Sequence, residues 1–500
     1  MSLLGIDVGT SGCKVVVFLY DGTPIASAYE EYDVLRVQPG YAELDTVQVW
    51  EKIKNVIKGV AVETKRDPIR AMAVSSLGEA IVPVTIDRQV LGPSLLNFDQ
   101  RGEEFLMGLN GILNNARLYV INGNTLGNQY SLTKLKWLKT HQPGLYEQAD
   151  LFLHWSGFVS FMLGAEPIVD YSLANRTLLF DIDRAEWSEE LFDNVGLDRD
   201  KLPKPVPSGT IIGKVSARIA DELGLPPGVV IVAGSHDQCA NALGCGVINE
   251  GQAMLGMGTY LCITPVFVRR KDPARMISRG LNTEHHAVSG MFTSFIYNSG
   301  GALVKWYRDT YAAAEKEHAL ELGHDIYQDL FSEIPEQPST VYVLPHFSTT
   351  GPPEFITDSS GVMIGLKLDT RRGDILKGIL EGTTYYLKEC VDSLPETGIS
   401  IEEYRAVGGG SKSDKWVQLC ADILNTPISR PLITEAGALG AAILSGVGQG
   451  IFPNVSSGVE KMVKIKCTFD PNPNMTEKYA ERYKVYKQIW PMMRDFLKAH

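Results

Sequence analysis

Asp7, Gly9, Thr10, Ser11 and Lys14 crowd into one short stretch, "LLGIDVGTSGCKVVVFLY". A glycine-bearing turn with two hydroxyls and an ammonium suits a phosphate chain. Bare backbone can approach the ligand and offer N–H groups, and the side chains add donors and charge. A carboxylate at the end of the preceding apolar run could hold a hydrated divalent ion. The same stretch also reads as an ordinary hairpin with a polar turn. A second stretch, "EGQAMLGMGTYLCITPVF", repeats the pattern with Gly258 and Thr259 at its tip. Two such tips in two halves of one chain imply a duplicated fold that clamps a phosphate chain between them. Just before the second tip, "PPGVVIVAGSHDQCANALGCG" places Asp237 where an apolar run meets a small-residue helix. A carboxylate at a strand end beside a phosphate-binding turn is well placed as a general base. It is equally well placed as a helix N-cap, and the two roles are compatible. His236 reads as a packing or hydrogen-bonding residue.

These groups need rigid elements beneath them. "LLGIDV" reads as a buried strand and "KVVVFLY", rich in β-branched residues, as a second. "YDG" turns the chain into a third, "TPIASAYEEY". "GTSG" is therefore the tip of a β-hairpin and not a strand-to-helix crossover. "VVIVAG" is another buried strand. In "YRAVGGGSKSDKWVQLCADIL" three glycines separate a short strand from an amphipathic helix. Gly408, Gly410 and Ser413 form an incomplete GxGxxG that lacks the βαβ setting and following acid of a dinucleotide site. The cluster can equally let a flat ring lie on bare backbone. "EAGALGAAILSG" reads as a helix of small residues, suited to close packing or to a ligand passing nearby.

The chain has 500 residues, which predicts two large domains or more. A net charge of −12 argues against a nucleic-acid partner, but leaves room for a local anion site. The seven cysteines form no CxxC pair, which fits reduced thiols in a cytoplasmic protein. No signal peptide and no bilayer-length apolar run is expected, hence no membrane partner. "WSGFVSFMLGA" is too short to span and reads as a buried helix.

Taken together, these motifs resemble the FGGY carbohydrate kinases, a branch of the sugar-kinase, heat-shock ATPase and actin superfamily. "DVGTSGCK" is similar to the family's first phosphate motif, "GMGT" to the second, and "VGGGSKSDKWVQLCADIL" to its adenosine motif. "SHDQCANALGCG" matches the segment that carries the catalytic aspartate. "YSLTKLKWL" and "GVMIGLKLDTRRGDILKGILEG" resemble the two family signatures, the latter with Gly378 where Ala or Ser is usual. "YNSGGALVKWYRD" resembles the segment whose glycines pass near the nucleotide phosphates. The matches run in family order over nearly the whole chain.

The resemblance implies an α/β fold of two actin-like (ribonuclease H-like) domains, with mixed sheets flanked by helices and the active site in the cleft between. The first domain is expected over 1–247, with the sugar and the catalytic aspartate, and the second over 248–500, with ATP. The implied activity is ATP-dependent phosphorylation of a primary hydroxyl of a small sugar or polyol, with Asp237 as base. ATP and Mg²⁺ are the implied cofactors. Gly9, Thr10, Ser11, Lys14, Gly258, Thr259, Gly301, Gly409, Gly410 and Asp414 would hold the nucleotide, and Asp7 the magnesium through water.

For the substrate, Glu79, Gln129, Gln238, Asp99 and Arg101 fall where family members place sugar contacts. Glu79 in "SSLGEA" matches a substrate-contacting carboxylate of the glycerol kinase branch, but Gly78 stands where that branch has arginine. The Gln-x-His of the xylulokinase branch is absent, and "NFDQR" replaces the usual Trp-led segment while keeping Asp99 and Arg101. Glu79 and Gln129 read equally as solvated surface residues. A ketopentose such as xylulose is the expected substrate, with glycerol, another polyol or another ketose as alternatives. Two other classes remain open: a dehydrogenase resting on Gly408 to Ser413, and a non-catalytic sensor or chaperone-like ATPase. Asp237 disfavours the sensor, and the paired substrate segments disfavour the chaperone. A homodimer is compatible with the sequence, which does not set the oligomeric state.

Overall fold

The computed structural model describes residues 1–499. Two mixed sheets are built on one plan. The first contains β1 (Ser2–Val8), β2 (Gly12–Leu19), β3 (Pro24–Glu31), β4 (Ile69–Ser76), β5 (Ile211–Lys214) and β6 (Val230–His236). Its order is β5-β6-β4-β1-β2-β3, with β1, β4 and β6 parallel and the remaining pairs antiparallel. The second contains β7 (Gly251–Met257), β8 (Tyr260–Phe267), β9 (Ile296–Ser299), β10 (Ile401–Val407), β11 (Ile428–Pro431) and β12 (Ile465–Phe469). There β7 forms a hairpin with β8 and runs parallel to β10, which is parallel to β11, and β12 closes the edge antiparallel. Each sheet is thus a hairpin extended by a third antiparallel strand (β3 on β2, β9 on β8), two further parallel strands and an antiparallel edge. The echo between "LLGIDVGT" and "MLGMGT" marks the same strand in the two copies.

The apolar runs explain the layering. Leu3, Leu4, Ile6 and Val8 of β1 are all fully buried, as a central strand covered on both faces requires. Helix α1 (Thr46–Glu63) starts where Asp45 accepts a hydrogen bond from the Gln48 N–H, and buries Val49, Trp50, Ile53, Val56, Ile57 and Val60 at helical spacing. The run "WSGFVSFML" forms α2 (Trp155–Leu163), a short helix buried on nearly every side. Helix α3 (Tyr171–Asn175) follows in a smaller apolar cluster around Tyr130, Leu135, Trp137, Phe152, Phe180 and Trp187. Helices α4 (Asp237–Gly244), α5 (Gly301–Tyr311), α6 (Asp414–Leu424) and α7 (Ala436–Gly448) carry the remaining candidate groups.

Helices α4 and α7 cross at bare backbone. A Cβ on Gly244 would lie 1.9 Å from the Ala436 carbonyl oxygen, and one on Gly440 would lie 2.1 Å from that of Ala240. A Cβ on Gly5 of β1 would lie 1.8 Å from the Ala438 oxygen, so α7 also lies directly on the first sheet. The small-residue pattern of "EAGALGAAILSG" is therefore close packing between the two halves of the chain. All seven cysteines are free thiols. Among the described residues no helix is long and apolar enough to cross a membrane.

Candidate active site

Three parallel strands of the first sheet end at one edge. Val8 of β1 is in register with Ser76 of β4, and Ser76 with His236 of β6. The turn Gly9–Ser11, the segment Leu77–Glu79 and Asp237 therefore emerge side by side. The C-terminal edge of parallel strands is where open α/β sheets bind ligands, because the connecting loops diverge there. In the second sheet Gly256 of β7 pairs with Val407 of β10, which puts the Gly258–Thr259 tip beside the Gly408–Gly410 turn.

Asp237 is the first residue of α4, and the cap position is His236, which contributes no side-chain capping bond. The aspartate is thus not spent as an N-cap. Its side chain keeps 26% of its surface exposed, yet lies deep among protein atoms. Burial, and then the charge of Asp7, push its pKa up to about 7, against hydrogen bonds from Gln238 and the charge of Arg176. His236 Nε2 lies 3.2 Å from Asp237 Oδ1. Burial holds this imidazole neutral, well below its ordinary pKa, with help from the Arg176 charge. Asp237 also reaches the second sheet: after burial, its charge contributes to raising the Cys262 thiol of β8 to about 12.

Asp7 accepts a hydrogen bond from Ser75 Oγ at 3.0 Å. Burial pushes its pKa up to about 6, with Glu435 adding to the rise. Lys14 Nζ is paired with Glu435 at 2.7 Å, across the two halves of the chain. Asp7 and Glu435 thus share one lysine, a surplus of negative charge that fits a divalent cation. Among the described residues no group of three or more His, Cys, Asp or Glu side chains forms a metal cage. Mg²⁺ keeps waters and substrate phosphates as ligands, so Asp7 alone could hold it through water.

The second tip is braced by α5. The Gly301 N–H donates to the Gly258 carbonyl at 2.9 Å and the Ala302 N–H to that of Thr259 at 2.9 Å. This joins Gly258, Thr259 and Gly301 in one place, at the positive end of a helix dipole. In the third glycine cluster Gly408 has φ +88°, a left-handed conformation that favours glycine. A Cβ on Gly409 would meet nothing within 4 Å, so its backbone lies bare to a flat ligand, while Gly410 packs against the Trp416 ring. Ser413 caps α6, and Asp414 pairs with Arg430 at 2.8 Å while staying exposed.

The segments proposed to read the sugar divide. Glu79 is buried against Arg176, and Gln238 is half-buried beside Asp237. Gln129 is exposed, next to Tyr130. Asp99 and Arg101 are tied to each other: Arg101 Nη2 lies 2.6 Å from Asp99 Oδ2 and 2.7 Å from Glu43 Oε2, with its guanidinium over the Tyr41 ring. Lys134 of "YSLTKLKWL", fully buried, donates to the Asp99 and Arg101 carbonyls at 2.6 and 2.9 Å. These groups fix the 99–101 loop, and their charges are used within the protein.

Three groups escaped the sequence reading. Arg176, just past α3, contacts Glu79 through Nη2 and Glu284 through Nη1. Glu284 is fully buried and belongs to the second half of the chain. Glu435 precedes α7. The "LANRT" and "TEAG" segments showed charge inside apolar surroundings, a signal of pairing, but nothing local named the partners.

Residues 2–244 match the model of the FGGY family of carbohydrate kinases, N-terminal domain, and residues 267–448 that of its C-terminal domain. A xylulose kinase of Bacillus subtilis (strain 168) is 26% identical over 497 residues, covering 99% of this chain and 97% of that protein. An autoinducer-2 kinase of Salmonella typhimurium is 28% identical over 505 residues, covering 97% of this chain and 92% of that protein. The crystal structure of a xyloylose kinase from Brucella ovis superposes with a TM-score of 0.87 at 24% identity, over 99% of this chain and 100% of that one.

Proposed function

We propose a ketopentose, such as xylulose, as the acceptor for this chain, which belongs to the FGGY family of carbohydrate kinases and is an ATP-dependent sugar or polyol kinase. The observation that carries the mechanism is Asp237: a partly exposed carboxylate at the shared strand edge, raised to about 7. It accepts the proton of a primary hydroxyl as that oxygen attacks the γ-phosphorus and the bond to the β,γ-bridging oxygen breaks, releasing ADP. A base with pKa near the working pH combines availability with basicity. His236 orients the carboxylate from 3.2 Å. Thr10, Ser11 and Thr259 offer hydroxyl donors to the phosphate oxygens, with α5 bracing the second tip, and the bare Gly409 backbone receives the adenine. Asp7 would hold Mg²⁺ through water, and that ion supplies charge neutralisation on the phosphates when bound. A domain cut at 247/248, between α4 and β7, fits this division of labour.

The test is a coupled ADP-release screen over ketopentoses, ketohexoses, aldonates and polyols. Autoinducer-2 belongs on the panel, because a relative of that name is as similar as the xylulose kinases. The highest kcat/KM is expected on a ketopentose, and a best substrate among the aldonates would overturn the assignment.

The two tips give a second prediction. Thr10→Val and Thr259→Val should each lower kcat about tenfold, with a smaller change in the Kd of ATP, because preorganised donors gain most as charge builds during transfer. Equal losses in kcat and in ATP binding, or no loss, would remove these hydroxyls from the transfer step.

A further inference from the structure

The most densely charged buried cluster outside the reacting atoms lies directly behind Asp237. The Arg176 guanidinium sits between Glu79 of the first half and Glu284 of the second, with ion-pair contacts to both. It lies over the Tyr130 ring at 5.0 Å and near the Phe295 ring at 5.9 Å, so its plane is fixed by aromatic faces from both halves. Glu284 is held again by Asn282, whose Nδ2 donates to Oε1 at 2.9 Å.

The cluster is incomplete within the protein. Arg176 Nε, His236 Nδ1 and Glu284 Oε2 are buried and make no hydrogen bond, and Glu284 Oε2 stands 3.9 Å from His236 Nδ1. Buried polar atoms are nearly always satisfied, so several such atoms converging beside a catalytic base point to a ligand that completes them. Gly78 keeps the place narrow: a Cβ there would lie 3.1 Å from His236 Nε2 and 3.5 Å from Arg176 Nε. Donors on Arg176 and acceptors on Glu79 and Glu284 form a mixed set. A sugar hydroxyl, which both donates and accepts, matches such a set, whereas a carboxylate can only accept. Charge agrees: one guanidinium against Glu79, Glu284 and Asp237 leaves the pocket negative.

We propose that Arg176, locked between Glu79 and Glu284, is the specificity-determining residue of the acceptor site, reading the hydroxyl next to the one phosphorylated and restricting acceptors to neutral polyhydroxy chains. The inference rests on the reading of Asp237 as the base that activates a sugar hydroxyl. Because Arg176 is fixed from both halves of the chain, a hydroxyl bound there is presented to Asp237 in one orientation.

The test measures kcat/KM for a ketopentose and for its analogue lacking the hydroxyl next to the phosphorylated one, in the wild type and in Arg176→Lys. Lysine keeps the charge and loses the planar fork. The wild type should prefer the full sugar by about 10- to 100-fold, the worth of one hydrogen bond to a charged group. Arg176→Lys should lose most of that preference through a raised sugar KM, with the KM of ATP unchanged. Gluconate should remain a poor acceptor for the wild type. Should Arg176→Lys fail to fold, Glu79→Gln preserves shape and the Arg176–Glu284 pair, and the same loss of preference is expected. Calorimetric titration of the sugar without ATP reads the same change independently of turnover. A folded variant with undiminished preference would overturn this inference alone. Turnover of no neutral sugar by the wild type, or a preference for gluconate, would overturn the functional reading and this inference with it.

Discussion

Asparagine at position 237 lowers turnover by about 10²- to 10⁴-fold and leaves the Kd of ATP nearly unchanged, if the carboxylate is the base. The amide has the shape of the acid and cannot take a proton. The pH dependence supplies an independent check. With the folded pKa raised to about 7, wild-type kcat/KM should be flat above that value and fall tenfold per unit below it, as Asp237 becomes protonated. The variant should lose this limb. Stability should move the other way. A carboxyl whose pKa is higher in the folded state than in the unfolded chain destabilises the fold once it ionises. That cost is fully present above about 7 and is relieved as pH falls toward the unfolded value of 3.8. Asp237→Asn should therefore melt above the wild type at pH 8, with the gap closing toward pH 4. Near-normal turnover in a folded Asp237→Asn protein would exclude the mechanism.

What the sequence made legible was local. The two hairpins, the strand before Asp237, the buried α2 and the small-residue α7 are each written in one contiguous run, where apolar periodicity and glycine placement act over a few residues. The strand plan shared by the two sheets was visible through one echo, because both copies kept the same glycine-threonine tip. The charge partners were not legible. Arg176 and Glu284 are 108 positions apart, and Lys14 and Glu435 meet only because α7 returns to lie on the first sheet. A buried ion pair has no sequence period, since one long side chain suffices at each end and any loop can deliver it. Asp99 and Arg101 show the converse. They keep the residue types of a family motif, and the fold pairs them with each other and with Glu43.

The crossing of α4 and α7 should be the least forgiving place in the molecule. Gly440→Val should yield no folded enzyme at 37 °C, and Gly440→Ala should fold with a loss of about 1–3 kcal/mol, the usual cost of overpacking a tight contact. The reason is geometric. A Cβ at Gly440 would begin 2.1 Å from the Ala240 carbonyl oxygen, and ordinary contact begins at 3.4 Å. Backbone has no rotamer with which to escape, so the helices themselves must part. The other side of α7 is closed as well, because Gly5 of β1 lies against Ala438. The same displacement reaches the chemistry. Helix α4 begins with Asp237, and at the start of α7 a Cβ on Gly437 would stand 2.7 Å from Asp7 Oδ2. Parting the helices moves the base relative to the proposed magnesium carboxylate, so Gly440→Ala should lose kcat as well as melting temperature. Gly108→Ala is the control, since a Cβ there meets nothing within 4 Å and alanine favours its helix. A Gly440→Ala protein as stable and as active as the Gly108→Ala control would show that the crossing is not the joint that sets the distance between Asp237 and Asp7.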